Sequence, residues 1–141
     1  MISFRNDYSE GAHPSVLEAL SRSNFETTCG YSMDPFCRHA ADTVRELTDC
    51  SDADVHFIVG GTLANTIVIS AALRPWEGVI AATTGHINVH ETGAIESSGH
   101  KVCAIEATDG KLTPALVREV MRIHCDGKDE HMVLPRMAAL A

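Results

Sequence analysis

Beyond Val55, short runs of β-favouring apolar residues alternate with helix-length segments, and this alternation restricts the chain to one class of architecture. Residues 55–59 form an apolar run ending in Gly60-Gly61. Residues 62–73 follow as an almost wholly apolar helix, buried by its composition and stopped at Arg74-Pro75, because proline disfavours helical backbone in the residue before it. Residues 78–82 read as a strand, 86–96 as a helix and 101–105 as a strand. Thr113-Pro114 opens a helix running to about Ile123, and residues 132–140 read as a last strand. Strands separated by helices pair in parallel through crossovers, so the expected fold is α/β, with a central parallel sheet and helices on its faces.

The first fifty residues lack that alternation. Residues 6–11 are polar and turn-like. Pro14 suits the first turn of a helix whose apolar face carries Val16, Leu17 and Leu20. Gly30 and Tyr31 fall in a loop. Asp34-Pro35 supplies the N-cap and first position of a second helix, with Phe36, Ala40, Val44 and Leu47 along one face. The expected organisation is a helical segment with a loop over residues 1–50 and a sheet-bearing portion over 51–141. The last predicted strand reaches the final residues without a closing helix, which is the pattern expected of a piece of a larger domain.

Charge and cysteine content exclude several classes of function. The 141 residues carry 11 Lys and Arg against 19 Asp and Glu, a formal charge of -8, with the basic residues scattered. Binding to nucleic acid by phosphate neutralisation is therefore not expected. No apolar stretch is long enough for a bilayer, and the N-terminus has no basic stretch followed by an apolar one, so neither membrane insertion nor secretion is expected. Cys29, Cys37, Cys50, Cys103 and Cys125 are odd in number and form no C-x-x-C pair, the usage of free thiols in a reducing cytoplasm.

Two constellations carry chemistry. Gly60-Gly61-Thr62-Leu63-Ala64-Asn65 leads into the apolar helix. A helix N-terminus presents unpaired N–H groups and a positive dipole end, and glycine lets an anion approach the backbone, so this turn suits a phosphate. It matches neither a P-loop nor a G-x-G-x-x-G fingerprint, and such turns also arise from geometry alone. In His86-Ile87-Asn88-Val89-His90-Glu91 the two histidines stand at helical i, i+4 spacing. Three readings stay open: two metal ligands without a third, two half-buried helix histidines, or a ring stacked on a planar ligand. No resident metal is expected, because a catalytic zinc takes three protein ligands. The charged run from Asp126 through Gly127, Lys128, Asp129 and Glu130 to His131 reads as a solvated loop, as does Lys111 after its Asp-Gly turn.

Taken in order, further segments join these two. They are Phe4-Arg5-Asn6-Asp7-Tyr8-Ser9-Glu10-Gly11, Gly30-Tyr31-Ser32-Met33-Asp34, Gly61-Thr62-Leu63-Ala64-Asn65, and His86 followed by Glu91-Thr92-Gly93-Ala94. Gly99-His100-Lys101-Val102 and Asp109-Gly110-Lys111-Leu112-Thr113 complete the set. The ensemble resembles the N-terminal part of the threonine aldolase/β-eliminating lyase family of pyridoxal-phosphate enzymes. Their fold is that of aspartate aminotransferase (fold type I), here the N-terminal portion of its three-layer large domain. The resemblance implies pyridoxal 5′-phosphate as cofactor, an amino acid as substrate and a homo-oligomer at full length.

By position, Gly61 and Thr62 match the donors to the cofactor phosphate, and Gly60 stands where the family carries Ser or Thr. His86 matches the catalytic histidine that stacks on the pyridine ring, and Glu91 the acidic residue of the same cofactor-binding segment. Asn6, Asp7, Tyr31 and Asp34 match active-site loops, with Asn6 replacing a more usual Ser. The implied reaction is retro-aldol cleavage of a β-hydroxy-α-amino acid to glycine and an aldehyde. The alternatives are β-elimination and a truncated product without turnover. In the family a lysine binds the cofactor covalently and an aspartate pairs with its ring nitrogen, both beyond the positions matched here. Lys101, Lys111 and Lys128 do not occupy that lysine's motif, so the resemblance implies that these 141 residues alone do not turn threonine over.

Overall fold

The computed structural model describes residues 6, 8–127 and 129–140. Phe4, Arg5 and Asp7 of the opening motif and Lys128 of the charged run lie outside the described residues. The chain divides into two compact units, Met1–Phe57 and Ile58–Ala141.

The first unit holds two helices, and both begin where the sequence signals place them. Helix α1 (Pro14–Ser23) starts at a proline, and its leading backbone is capped by His13, whose Nδ1 accepts the Ser15 N–H at 3.2 Å. Helix α2 (Pro35–Leu47) starts at Pro35 behind Asp34, whose Oδ1 accepts the Cys37 N–H at 2.8 Å. The expected apolar faces exist but are not cores. Val16, Leu17, Leu20, Phe36, Val44 and Leu47 are exposed, and Ala41 is the buried residue of α2. Amphipathic spacing dictates which residues share a face and does not supply the surface that covers it.

Asp34 gives that cap a pH dependence. Its carboxyl is held below the usual carboxylate range, first by the Cys37 thiol and then by the Cys37 N–H, both of which bond its charged form. A carboxylate depressed on folding stabilises the fold fully above its unfolded pKa of about 4 and loses that contribution as pH falls through the folded value. Asp34→Asn keeps an acceptor for the cap and removes the titration. The helical circular dichroism of the variant is therefore expected to fall less steeply than wild type below about pH 4. Parallel acid melts of the two proteins would refute this.

The second unit is a three-stranded parallel sheet between helical layers. Its elements are α3 (Gly61–Ala72), β1 (Glu77–Ala82), α4 (His86–Val89), α5 (Ala94–Ser97), β2 (Val102–Ile105), α6 (Pro114–Cys125) and β3 (Leu134–Ala138). The strand order is β2-β1-β3. Central β1 pairs Val79 with Val102 and Ile80 with Cys103 on one side, and Glu77 with Leu134 and Ile80 with Ala138 on the other. A bulge between Gly78 and Val79 shifts the β3 register next to Pro135, a residue that cannot donate to a ladder.

The side-chain alternation of the strands divides the core in two. Val79, Ala81 and Val102 pack with Ile69 and Leu73 of the α3 side, Ile87 of α4 and Ile95 of α5. Ile80 and Cys103 face the other way and pack with Val120 of α6. Cys103 is buried, and burial pushes its thiol pKa up, so it serves as a small apolar side chain. Helix α6 begins at Thr113-Pro114 as expected, with Thr113 Oγ1 accepting the Leu116 N–H. It runs past Ile123 to Cys125, and β3 is shorter than the predicted 132–140.

Three expectations are corrected. Residues 55–59 are not a strand, because a strand exists only where its backbone groups find a ladder partner and none pairs with them among the described residues. The apolar helix forms but is not buried all round: Ile69 is its one buried residue, while Leu63, Ile67 and Val68 are exposed. The single helix expected over 86–96 is two short ones, because Thr92 and Gly93 take left-handed backbone (φ 55° and 71°) between them.

Candidate active site

The N-terminus of α3 is open. Gly60, at φ 85° and ψ 153°, has backbone that residues with a Cβ rarely adopt, and it turns the chain into the helix without a side-chain cap. The leading N–H groups of any helix have no carbonyl partner within it, and no side chain among the described residues caps them here. A Cβ built on Gly61 would meet nothing within 4 Å, so the backbone can be approached closely. Thr62 is half-buried in the first turn. Backbone dipole and access, rather than a cationic side chain, are what this turn offers an anion.

His86 opens α4, which follows the carboxyl end of β1 through Thr83, Thr84 and Gly85. In parallel α/β sheets ligand sites gather outside the carboxyl ends of the strands. The His86 side chain is 52% exposed, while that of Glu91 is fully enclosed. His86 Nδ1 and Glu91 Oε1 lie 2.8 Å apart. The same Oε1 accepts the Asn65 Nδ2 amide at 2.6 Å, joining the second turn of α3 to the α4 segment across 26 residues. Glu91 Oε2 is buried without a hydrogen-bond partner among the described residues. An anchored, half-exposed imidazole and an open helix N-terminus, in one unit, suit a phosphorylated planar ring.

The sequence-predicted residues sort as follows. Gly61, Thr62, His86 and Glu91 all lie in the second unit, and Asn65 ties the two segments together. Asn6, Tyr31 and Asp34 lie in the first unit, and Asp7 is outside the described residues. Tyr31 is exposed with left-handed backbone (φ 63°), and Asp34 spends its carboxylate on the α2 cap. Asn6 Oδ1 accepts from Tyr8 N and Ser9 Oγ, an Asx-type turn.

His86 and His90 have different surroundings. Their ring centroids are 5.6 Å apart at 53°, His86 Nδ1 is committed to Glu91, and no cluster of three metal-binding side chains occurs among the described residues. Asn65 closes the Gly61–Asn65 segment that the sequence singled out, but sequence reasoning gave it no role. Its signals were its place in that segment and its position on the helix that starts at the glycine turn, and nothing local marks its partner.

Known proteins give this geometry a context. A low-specificity L-threonine aldolase from Pseudomonas sp. (strain NCIMB 10558) is 32% identical over 139 residues, which are 97% of this chain and 39% of that protein. A low-specificity L-threonine aldolase from Pseudomonas aeruginosa is 31% identical over the same shares. The solved structure of a threonine aldolase from Leishmania major superposes with a TM-score of 0.88 at 48% identity, covering 94% of this chain and 38% of that one. The chain thus spans about two-fifths of the length of these relatives, and its fold is the N-terminal portion of their fold-type-I domain. The sequence pattern of the β-eliminating lyases matches residues 4–140, and the chain belongs to that family.

Proposed function

We propose that this chain supplies the phosphate- and ring-binding half of a pyridoxal-phosphate-dependent lyase that cleaves β-hydroxy-α-amino acids such as threonine to glycine and an aldehyde. The observation that carries the reading is the Asn65–Glu91–His86 tether, which links the open turn of α3 to a half-exposed imidazole. The Gly61 and Thr62 backbone N–H groups and the Thr62 hydroxyl would hold the phosphate dianion. The His86 ring would pack against the pyridine ring of the cofactor, shielding it from water and orienting it. Glu91 reaches the cofactor through His86, since its carboxylate is enclosed. When bound, pyridoxal phosphate supplies the electron sink that lets a bond to the substrate α-carbon break. Asn6, Asp7, Tyr31 and Asp34 belong in this proposal to the loops that complete the substrate side.

A cytoplasmic homo-oligomer is the setting proposed. Five cysteines outside any disulfide suit a reducing compartment, and no helix among the described residues is long and apolar enough to cross a membrane.

The chain is expected to bind pyridoxal phosphate with an affinity that excess inorganic phosphate lowers. His86→Ala should weaken that binding about tenfold, the size of a lost stacking contact. Protein carrying these residues together with the family's lysine and aspartate is expected to release glycine and acetaldehyde from threonine. Failure of the chain to bind the cofactor, or binding indifferent to both phosphate and His86→Ala, removes the reading.

A further inference from the structure

We infer that Asn65 and Glu91 form a positioning pair that fixes the tautomer and ring plane of His86, which makes Asn65 part of the active site at one remove. The inference rests on the reading of His86 as the residue packed against the cofactor ring. A carboxylate oxygen accepts hydrogen bonds, so in the neutral ring the 2.8 Å contact between His86 Nδ1 and Glu91 Oε1 places the proton on Nδ1 and leaves Nε2 without one. Which nitrogen carries the proton is set by the bond the other atoms make, and here that bond comes from an enclosed group.

Asn65 matters because of how Glu91 is held. Both donors the carboxylate receives, Asn65 Nδ2 and His86 Nδ1, converge on Oε1, and Oε2 is buried without a partner among the described residues. A buried charge with so few donors depends strongly on each one. Losing the Asn65 amide leaves the imidazole as the remaining donor on a carboxylate free to rotate. The ring then loses its fixed plane, although no atom that meets the cofactor has changed. Asn65 also sits one helical turn from Gly61, so the amide couples the position of the ring-stacking residue to that of the phosphate cradle.

The test reads the imidazole directly. In the 141-residue chain without cofactor, at about pH 9 where imidazoles are neutral, nitrogen-15 NMR is expected to show His86 in the Nδ1–H form. Glu91→Leu removes the acceptor and is expected to move His86 to the Nε2–H form. Glu91→Gln keeps an acceptor and is expected to retain Nδ1–H, with amide spectra confirming the fold of each variant. Asn65→Ala is expected to leave the protein folded, to give His86 a mixture of both forms and to weaken pyridoxal phosphate binding about threefold, less than the loss of the ring itself in His86→Ala.

An Nε2–H form in the wild type, or a form unchanged in folded Glu91→Leu or, should that variant not fold, in Asn65→Ala, overturns the inference while leaving cofactor binding intact. The expected tautomers together with cofactor binding that ignores both phosphate and His86→Ala would remove the cofactor reading and leave the positioning pair standing.

Discussion

Ile95→Ala is expected to remove about 2–5 kcal/mol of stability, against a total for small domains of about 5–15 kcal/mol. Ile95 is fully buried on α5, a helix of only four residues, where it joins Val79, Val102, Ile87 and Ile69 in one core. So short a helix has no stability of its own in water, and packing through Ile95 is what holds it. The truncation leaves a cavity lined by side chains from several elements, which relax only in part. The loss is read as a lower urea midpoint at unchanged m-value, with Ile123→Ala, on the exposed face of α6, as a control costing less than about 0.5 kcal/mol. Glu91 precedes α5 by three residues, so the variant should also disorder the His86 tautomer below the unfolding midpoint. Equal midpoints for the two variants would show that α5 is not part of the core.

Gly61→Asp is expected to separate stability from binding. A carboxylate in the first turn favours the helix dipole by up to about 1 kcal/mol, and a Cβ at Gly61 meets nothing within 4 Å, so the fold is unharmed. The same charge confronts the phosphate dianion. Even with the full dielectric constant of water, a single charge about 5 Å from a dianion costs about 2 kcal/mol, and more as water is excluded. Pyridoxal phosphate and inorganic phosphate should therefore both bind at least about tenfold more weakly, in titrations of a chain that melts no lower than wild type. Undiminished phosphate affinity would place the anion elsewhere.

Much of the fold was legible because its signals are local. Asp34-Pro35 and Thr113-Pro114 place a cap and a fixed φ within two residues, and both helices begin there. The runs at β1 and β2 ended within a residue of expectation because turns bound them on both sides. Residues 55–59 misled for a non-local reason. Their composition is that of a strand, but a strand is a property of a pair, and α3 is likewise apolar beyond what the described residues cover.

The site divides along the same line. Residue type and spacing offered an anion at Gly60-Gly61-Thr62 and a stacked ring at His86 as one reading among others, since helix dipoles and imidazole faces act through their own segments, and the resemblance to the lyase family joined the two. Only the tertiary structure decided that 86–96 breaks at Thr92 and that the enclosed Glu91 serves His86. It also decided that Asn65, 26 residues earlier in the chain, completes the arrangement. A buried carboxylate takes its donors from whichever elements pack around it, and that packing is set by the sheet and both its helical layers together, not by any segment alone.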